Sequence, residues 1–316
     1  MTSRDSRYNG ILLFYKPCGR SSHDAVQDVR RAIRQRRVGH TGTLDPLAEG
    51  LLVLCLGNAT KIAQFISGCD KTYGAEICLG QRSDTGDREG VVSPTGPSVE
   101  VNFSEEDLLR VLNQFIGTIE QRVPAYSAVQ VGGERLYRLA RRGIAVDPPE
   151  RRVQIRELTL MDYHLPYVRI HVCCSSGTYI RSLADDIGTA LGCGAYLSRL
   201  RRVAVGGFSV DAALRLDEIK RDHQADTLHS RLLPIAAALP YNAIVVDETF
   251  RDGIACGRPL RADHVVDIQG AFVAGDRIVL KDLEGHALAV GTAQVTSELF
   301  LSQKDDSLFT YIRVLN

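Results

Sequence analysis

The residues from Gly39 to Gly50 read Gly-His-Thr-Gly-Thr-Leu-Asp-Pro-Leu-Ala-Glu-Gly and hold one carboxylate, Asp45, in an unusual setting. Pro46 keeps Asp45 out of the helical region, the glycines allow sharp turns, and the apolar run 51–56 behind them reads as a buried strand. A carboxylate displayed on a shaped loop against an apolar wall can act as a nucleophile or a base. It can also merely close a turn, because Asp beside Pro and Gly is common turn chemistry. His40 lies in the same loop, but nothing around it supplies the Ser or Cys of a nucleophilic pair, and a lone loop histidine is more often a hydrogen-bonded structural residue. Asp84 and Asp87 fall in the polar, glycine-punctuated stretch 81–90 and lack the ligand number and spacing of a calcium loop, so they read as turn residues. The eight cysteines show no C-x-x-C and no Cys/His pairing at metal spacing, and several sit in apolar runs. Reduced thiols and no metal are expected.

These groups need elements to position them. Residues 11–15 form a short apolar strand closed by Lys16-Pro17-Cys18-Gly19, after which Ser21 or Ser22 caps a helix with Val26, Val29 and Ile33 at helical spacing. Residues 59–66 read as a short helix carrying Lys61, and 71–80 as a strand of alternating polarity that half-buries Tyr73. Ser104 and Asp107 resemble a capping box that opens a helix with Leu108, Leu109, Leu112 and Phe115 inward and Gly117 as its stop. A strand from Val123, a Gly132-Gly133 turn and a basic helix up to Gly143 come next, then strands at about 152–162 and 167–174. The turn 175–178 opens a helix ending at Gly192, which would bring backbone donors and Arg181 to one helix start. Residues 196–206 are a strand containing Leu200. From about Tyr241 short strands alternate with Gly/Asp turns, which suggests a small β-rich domain.

With 316 residues, 44% hydrophobic and 24% charged, the chain can bury a full core as one large domain and a small one. No apolar run approaches a membrane span and the N-terminus lacks the apolar core of a signal peptide, so a cytoplasmic location is expected. The net charge is zero, yet arginines cluster at 30–37, at 135–142 and at Arg199, Arg201 and Arg202. Local basic patches on a neutral chain suit one shaped RNA, gripped through its phosphates, better than any polyanion at large. No P-loop or dinucleotide motif is present, which is consistent with a reaction that needs no cofactor.

The Gly39–Gly50 string resembles the active-site motif of the TruB family, the bacterial tRNA pseudouridine-55 synthases. So do the Lys-Pro-x-Gly turn at 16–19, Lys71-Thr72-Tyr73, Val123-Pro124-Ala125-Tyr126-Ser127-Ala128 and Gly177-Thr178-Tyr179-Ile180-Arg181. Val123 stands where that pattern has a proline. The resemblance implies an α+β fold, a mixed and largely antiparallel sheet flanked by helices, over residues 1–240, with an RNA-gripping insert at about 120–150. A small PUA-like RNA-binding domain would occupy 241–316. It further implies that Asp45 is the essential carboxylate that converts uridine to pseudouridine at position 55 of the tRNA TΨC loop, with Arg181 as its partner and Tyr73 against the target base. Tyr179 and Leu200 would line the uridine pocket, His40 and Lys61 would bind RNA, and Lys16 would be a structural or RNA-facing cation. The base would be flipped out, and the expected assembly is a monomer with no obligate protein partner.

Overall fold

The computed structural model describes residues 7–96, 101–144, 146–300 and 308–315. A nine-stranded sheet carries most of the first 209 residues. Its central order is Gly10–Lys16, Glu49–Leu56, Ala195–Val205, Lys71–Leu79, Tyr167–Cys174, Glu150–His164 and Gly117–Arg122, with Val38–His40 beside Glu49–Leu56 and Phe208–Ser209 beside Ala195–Val205. Neighbours are antiparallel except at one seam, where Arg201 and Arg202 run parallel to Glu49 and Gly50. Gly50 is required there: its φ is +102°, and a Cβ would sit 2.3 Å from the Arg202 carbonyl oxygen.

Alternation along Lys71–Leu79 is strict at first, so Tyr73, Ala75 and Ile77 face one side of the sheet. That side packs against Ile180, Leu183, Ala184 and Ile187 of the helix Ile180–Ala190 and forms the main core. Helix Ser22–Ile33 begins at Ser21, whose hydroxyl accepts from the Asp24 amide in a complete capping box, and it buries Val26, Val29 and Ile33 as its spacing requires. Ser104 and Asp107 form a second such box.

Boundaries moved in three places. The helix expected to run to Gly117 ends at Asn113, and Gly117 instead opens the edge strand Gly117–Arg122, because pairing with Gln154 and Ile155 claims its backbone. The short helix expected over 59–66 divides into a 3₁₀ turn, Gly57–Ile62, and one α-turn, Ala63–Ser67. The stretch 81–90 contains a short strand, Gln81–Ser83, paired with Val92–Pro94.

A second sheet of five strands, ordered Val265–Gln269, Asn242–Val246, Arg277–Lys281, Ala287–Ala293 and Phe309–Val314, follows. The two sheets share one apolar cluster in which Ile11, Leu13, Leu51 and Val53 of the first join Ala243, Val279, Val290 and Leu315 of the second. Excluding water from such a cluster contributes roughly 25 cal/mol per Å² of apolar surface, which holds the two sheets together.

The helix Ile180–Ala190 carries a strained carboxylate. Asp186 is half-buried, and burial, with the Asp185 charge a smaller cause, pushes its carboxyl up to about 6. The folded value lies above the unfolded one, so the stability linked to the protonated form is complete below the unfolded value and is lost as pH rises through about 6. Asp186→Asn is therefore expected to raise the melting temperature at pH 7.5 by a few degrees, corresponding to about 1–2 kcal/mol after allowance for solvent screening. The gain should vanish near pH 4; an equal gain at both pH values would refute this account.

Candidate active site

The loop bearing Asp45 is fastened from several sides before its side chain is considered. Ser22 holds Leu44 twice, its hydroxyl donating to the Leu44 carbonyl at 3.0 Å and accepting from the Leu44 amide at 2.7 Å. The Gly19 amide donates to the Pro46 carbonyl at 2.8 Å. Arg202, only 1% exposed, spreads its guanidinium across three carbonyls, those of Leu51 (2.8 Å), Gly42 (3.0 Å) and Thr43 (3.4 Å). Backbone so constrained fixes where the Asp45 carboxylate projects.

That carboxylate meets Arg181. Asp45 Oδ2 lies 2.9 Å from Arg181 Nε, with the arginine side chain 5% exposed and the aspartate 34% exposed. The Nε–H is not aimed along this line, so the contact is an ion pair rather than an aligned hydrogen bond. The far side of Arg181 is also held, with Nη1 donating to the Thr85 carbonyl at 2.9 Å and Nη2 to that of Tyr126 at 3.1 Å. Asp87 Oδ2 is 3.7 Å from Nε, while its Oδ1 accepts from the Glu89 amide and the Thr85 hydroxyl. One guanidinium thus stands between two carboxylates, one buried and one open to the cleft.

The cleft itself encloses about 320 Å³ and is lined by Asp45, Tyr73, Tyr179, Arg181, Leu200 and Arg202, among others. A larger cavity of about 840 Å³ lies at the seam of the two sheets, rimmed by Leu232, Leu233, Pro234 and Ile235. Volume and chemistry disagree here. The smaller cleft gathers the ion pair, three tyrosines and further buried cations, and it is the candidate site. Burial raises the Tyr73 phenol above its ordinary range, a shift the nearby Arg202 charge only partly offsets, so Tyr73 is a neutral phenol at physiological pH.

Asp45, Tyr73, Tyr179, Arg181 and Leu200, the residues singled out from sequence for catalysis and the pocket, line this one cleft. The binding candidates are placed differently. His40 sits on the strand Val38–His40, half-buried, with burial and then the Arg202 charge lowering its basicity and its Nδ1 buried without a partner among the described residues. Lys61 lies in the 3₁₀ turn outside the cleft, where burial and then the charges of Arg37 and Arg313 lower its pKa.

Lys16 corrects the expectation of an RNA-facing cation. It is fully buried, and its ammonium donates to the carbonyls of Arg20 (2.6 Å), Pro17 (2.8 Å) and Pro46 (3.5 Å), with burial pushing its pKa down to about 8. Three carbonyls converging on one point offer a cation more than solvent would after burial, so it serves the loop. Arg202 leaves the basic patch for the same reason. Strand parity could have revealed it, since Arg202 shares the face of Leu200 while Arg201 points away. Asp87 carried no sequence signal, because its partner is 94 positions further along the chain.

Comparison with known proteins adds the following. The family model for the TruB family pseudouridylate synthase N-terminal domain matches residues 30–180, that for the tRNA pseudouridylate synthase B C-terminal domain matches 181–240, and that for the PUA domain matches 242–301. Proteins named tRNA pseudouridine synthase B are similar over most of the chain. The one from Xanthomonas euvesicatoria is 45% identical over 80% of this chain and 82% of its own. The one from Xanthomonas campestris is 42% identical over 92% of each, and that from Staphylococcus epidermidis is 40% identical over 79% and 85%. Among solved structures, an H/ACA RNP bound to a substrate RNA containing 2′-deoxyuridine covers 100% of this chain and 92% of its own with a TM-score of 0.77 at 22% identity. A Cbf5–Nop10–Gar1 complex gives 0.76, also at 22% identity. At that level the structures share the fold.

Because Arg202 satisfies three carbonyls from one buried group, a lysine in its place cannot reach them all. Arg202→Lys is expected to destabilise the protein by about 2–3 kcal/mol, lowering the melting temperature by several degrees in a calorimetric scan. A change below about 1 °C would show that the Asp45 loop does not depend on this clamp.

Proposed function

The chain belongs to the TruB family of pseudouridylate synthases, and from that premise we propose that it converts uridine to pseudouridine at position 55 in the TΨC loop of tRNA. The observation that carries the mechanism is the Asp45–Arg181 ion pair, 2.9 Å apart, at the mouth of a cleft lined by Tyr73, Tyr179 and Leu200.

The reaction is an isomerisation. The bond from ribose C1′ to uracil N1 breaks and the base turns; C5 then joins C1′ as the bond from C1′ to Asp45 breaks or as the ribose regains its proton, the C5 proton leaves for solvent or a base, and N1 takes one up. Atoms and electrons balance without an oxidant or a nucleotide. Asp45 begins it as a carboxylate, by attack on C1′ or by removing a ribose proton as uracil departs; both routes need the ionised form. Arg181 lies against that carboxylate as its ion-pair partner, and Asp87 with the Thr85 and Tyr126 carbonyls holds Arg181 in place. Tyr73 lies beside the base as a neutral phenol that stacks and orients uracil; proton capture by a tyrosinate would oppose its burial. Leu200 and the apolar wall exclude water that would otherwise intercept the intermediate.

Extruding the stacked uridine costs a few kcal/mol, which contacts elsewhere on the RNA must supply. The insert between Arg122 and Glu150 presents Arg138 and Arg141 over the ring of Tyr137 at 5.9 and 5.6 Å from its centroid, a basic and aromatic face suited to nucleic acid. His40 and Lys61 would add RNA contacts near the loop. We assign catalysis to residues 1–240 and further RNA binding to a PUA-like domain at 241–316. The protein would work in the cytoplasm as a monomer without a partner protein; among the described residues no helix is long and apolar enough to cross a membrane.

Purified protein incubated alone with an unmodified tRNA transcript should form pseudouridine at position 55. Asp45→Asn should abolish product while leaving the tRNA Kd within about threefold, since one uncharged amide replaces a carboxylate of equal size; retained turnover would remove Asp45 from the mechanism. Tyr73→Phe should slow the single-turnover rate by about 10-fold or more, equivalent to about 1.4 kcal/mol, yet keep the wild-type pH profile between pH 6 and 9.5. A raised phenol pKa keeps Tyr73 protonated throughout that window. Disappearance of an alkaline limb in the variant would mean that the phenol ionises during turnover.

A further inference from the structure

Helix Ile180–Ala190 delivers Arg181 to Asp45, yet its N-cap residue, Tyr179, forms no side-chain capping bond. An uncapped helix start frays, and Tyr179 and Arg181 are both cleft residues. The stabilising group comes from the edge strand Gly117–Arg122. Gln121, 1% exposed, accepts the Tyr179 amide at Oε1 (2.7 Å) and donates from Nε2 to the Tyr179 carbonyl (3.0 Å). A carboxamide is the complement of a peptide group, so the two bonds close a ring on one residue's backbone. Glutamate lacks the donor, methionine lacks both groups, and asparagine is one carbon short.

The same corner is tied twice more. Ser182 donates its hydroxyl to the Arg122 carbonyl at 2.9 Å, and Arg181 Nη2 donates to the Tyr126 carbonyl at 3.1 Å. Residues 121, 122 and 126 form the root of the basic insert, whose neck is closed by Arg122 pairing with Glu150 and by the Val123 amide donating to the Pro149 carbonyl. The root that presents arginines to RNA is therefore the structure that fixes the first turn of the catalytic helix.

We infer that Gln121 is a positioning residue for the isomerisation: it locks Tyr179, and through it Arg181, in register with Asp45, and so couples the seating of the basic insert on RNA to the chemical step. This rests on the pseudouridine synthase reading above. Gln121 touches neither substrate nor reacting atoms, so its loss acts on the rate after binding. A displacement of about 1 Å at the ion pair can cost about 100-fold in rate.

The test is single-turnover pseudouridine formation at saturating enzyme, with the tRNA Kd and the melting temperature measured alongside. Gln121→Met, which keeps length and removes both bonds, should react about 10- to 100-fold more slowly with Kd within threefold and a melting temperature within about 6 °C of wild type. Thr118→Val, an exposed position on the same strand, should match wild type. Rates within twofold for Gln121→Met, a defect relieved by more enzyme, or equal slowing by Thr118→Val would overturn the inference. Should Gln121→Met fail to fold by circular dichroism, Gln121→Glu, which retains the acceptor and the length, is measured instead and should show the same rate loss at intact binding. Failure of both to fold would reduce Gln121 to an architectural residue and also overturn it. An inactive wild type would instead reject the functional reading, independently of Gln121.

Discussion

A guanidinium withdrawn from water must have its charge and its donors accommodated by the protein, and Arg181 meets that demand with three chain segments at once. Asp45 and Asp87 supply the opposite charge, and the carbonyls of Thr85 and Tyr126 take the outer N–H groups. Burying an arginine with one partner missing is costly, so each segment is held in place partly because the others are. The consequence for chemistry is an asymmetric arrangement: Asp87 is enclosed while Asp45 retains an open side toward the cleft. Only the carboxylate that can reach a substrate is left accessible.

Other buried cations serve the backbone rather than a carboxylate. Lys16 gathers the carbonyls of Pro17, Arg20 and Pro46; Lys71 takes those of Ser67 and Cys69; Arg202 takes three from the Asp45 loop and the strand behind it. Loops around an active site cannot satisfy their carbonyls in a ladder, and a buried cation satisfies several together. Lys71, Arg181 and Arg202 line the cleft beside the single carboxylate of Asp45, a local excess of cations that suits a polyanion although the chain has zero net charge. The seam between Gly50 and Arg202 joins these roles, since the parallel pairing there brings the Asp45 loop, Tyr73 and Leu200 to one end of the sheet.

Much of the local structure was legible in advance. Both capping boxes, the alternating strand carrying Tyr73 and the apolar run behind Asp45 follow from short-range patterns that the fold had no reason to override. Helix ends were less legible, as at Gly117, because a residue able to stop a helix is equally able to start a strand and a distant strand decides between them. Burial of charged residues was misjudged for Lys16 and Arg202, since a basic side chain reads as exposed until the carbonyls that would receive it are in place.

The amino-acid string alone determined that Asp45 is displayed on a shaped loop before a buried strand, and its motifs pointed to the family and to five of the residues that line the cleft. Those features depend on neighbours within a dozen positions, where backbone preference and hydrophobic period act directly. Tertiary structure alone decided that Asp87 completes the environment of Arg181, that Arg202 meets the carbonyls of the Asp45 loop, and that Gln121 closes on Tyr179. These pairings join residues from 58 to 160 positions apart. A contact at that range is selected by how sheets and helices pack together, and packing energy is a property of the whole chain rather than of any stretch of it.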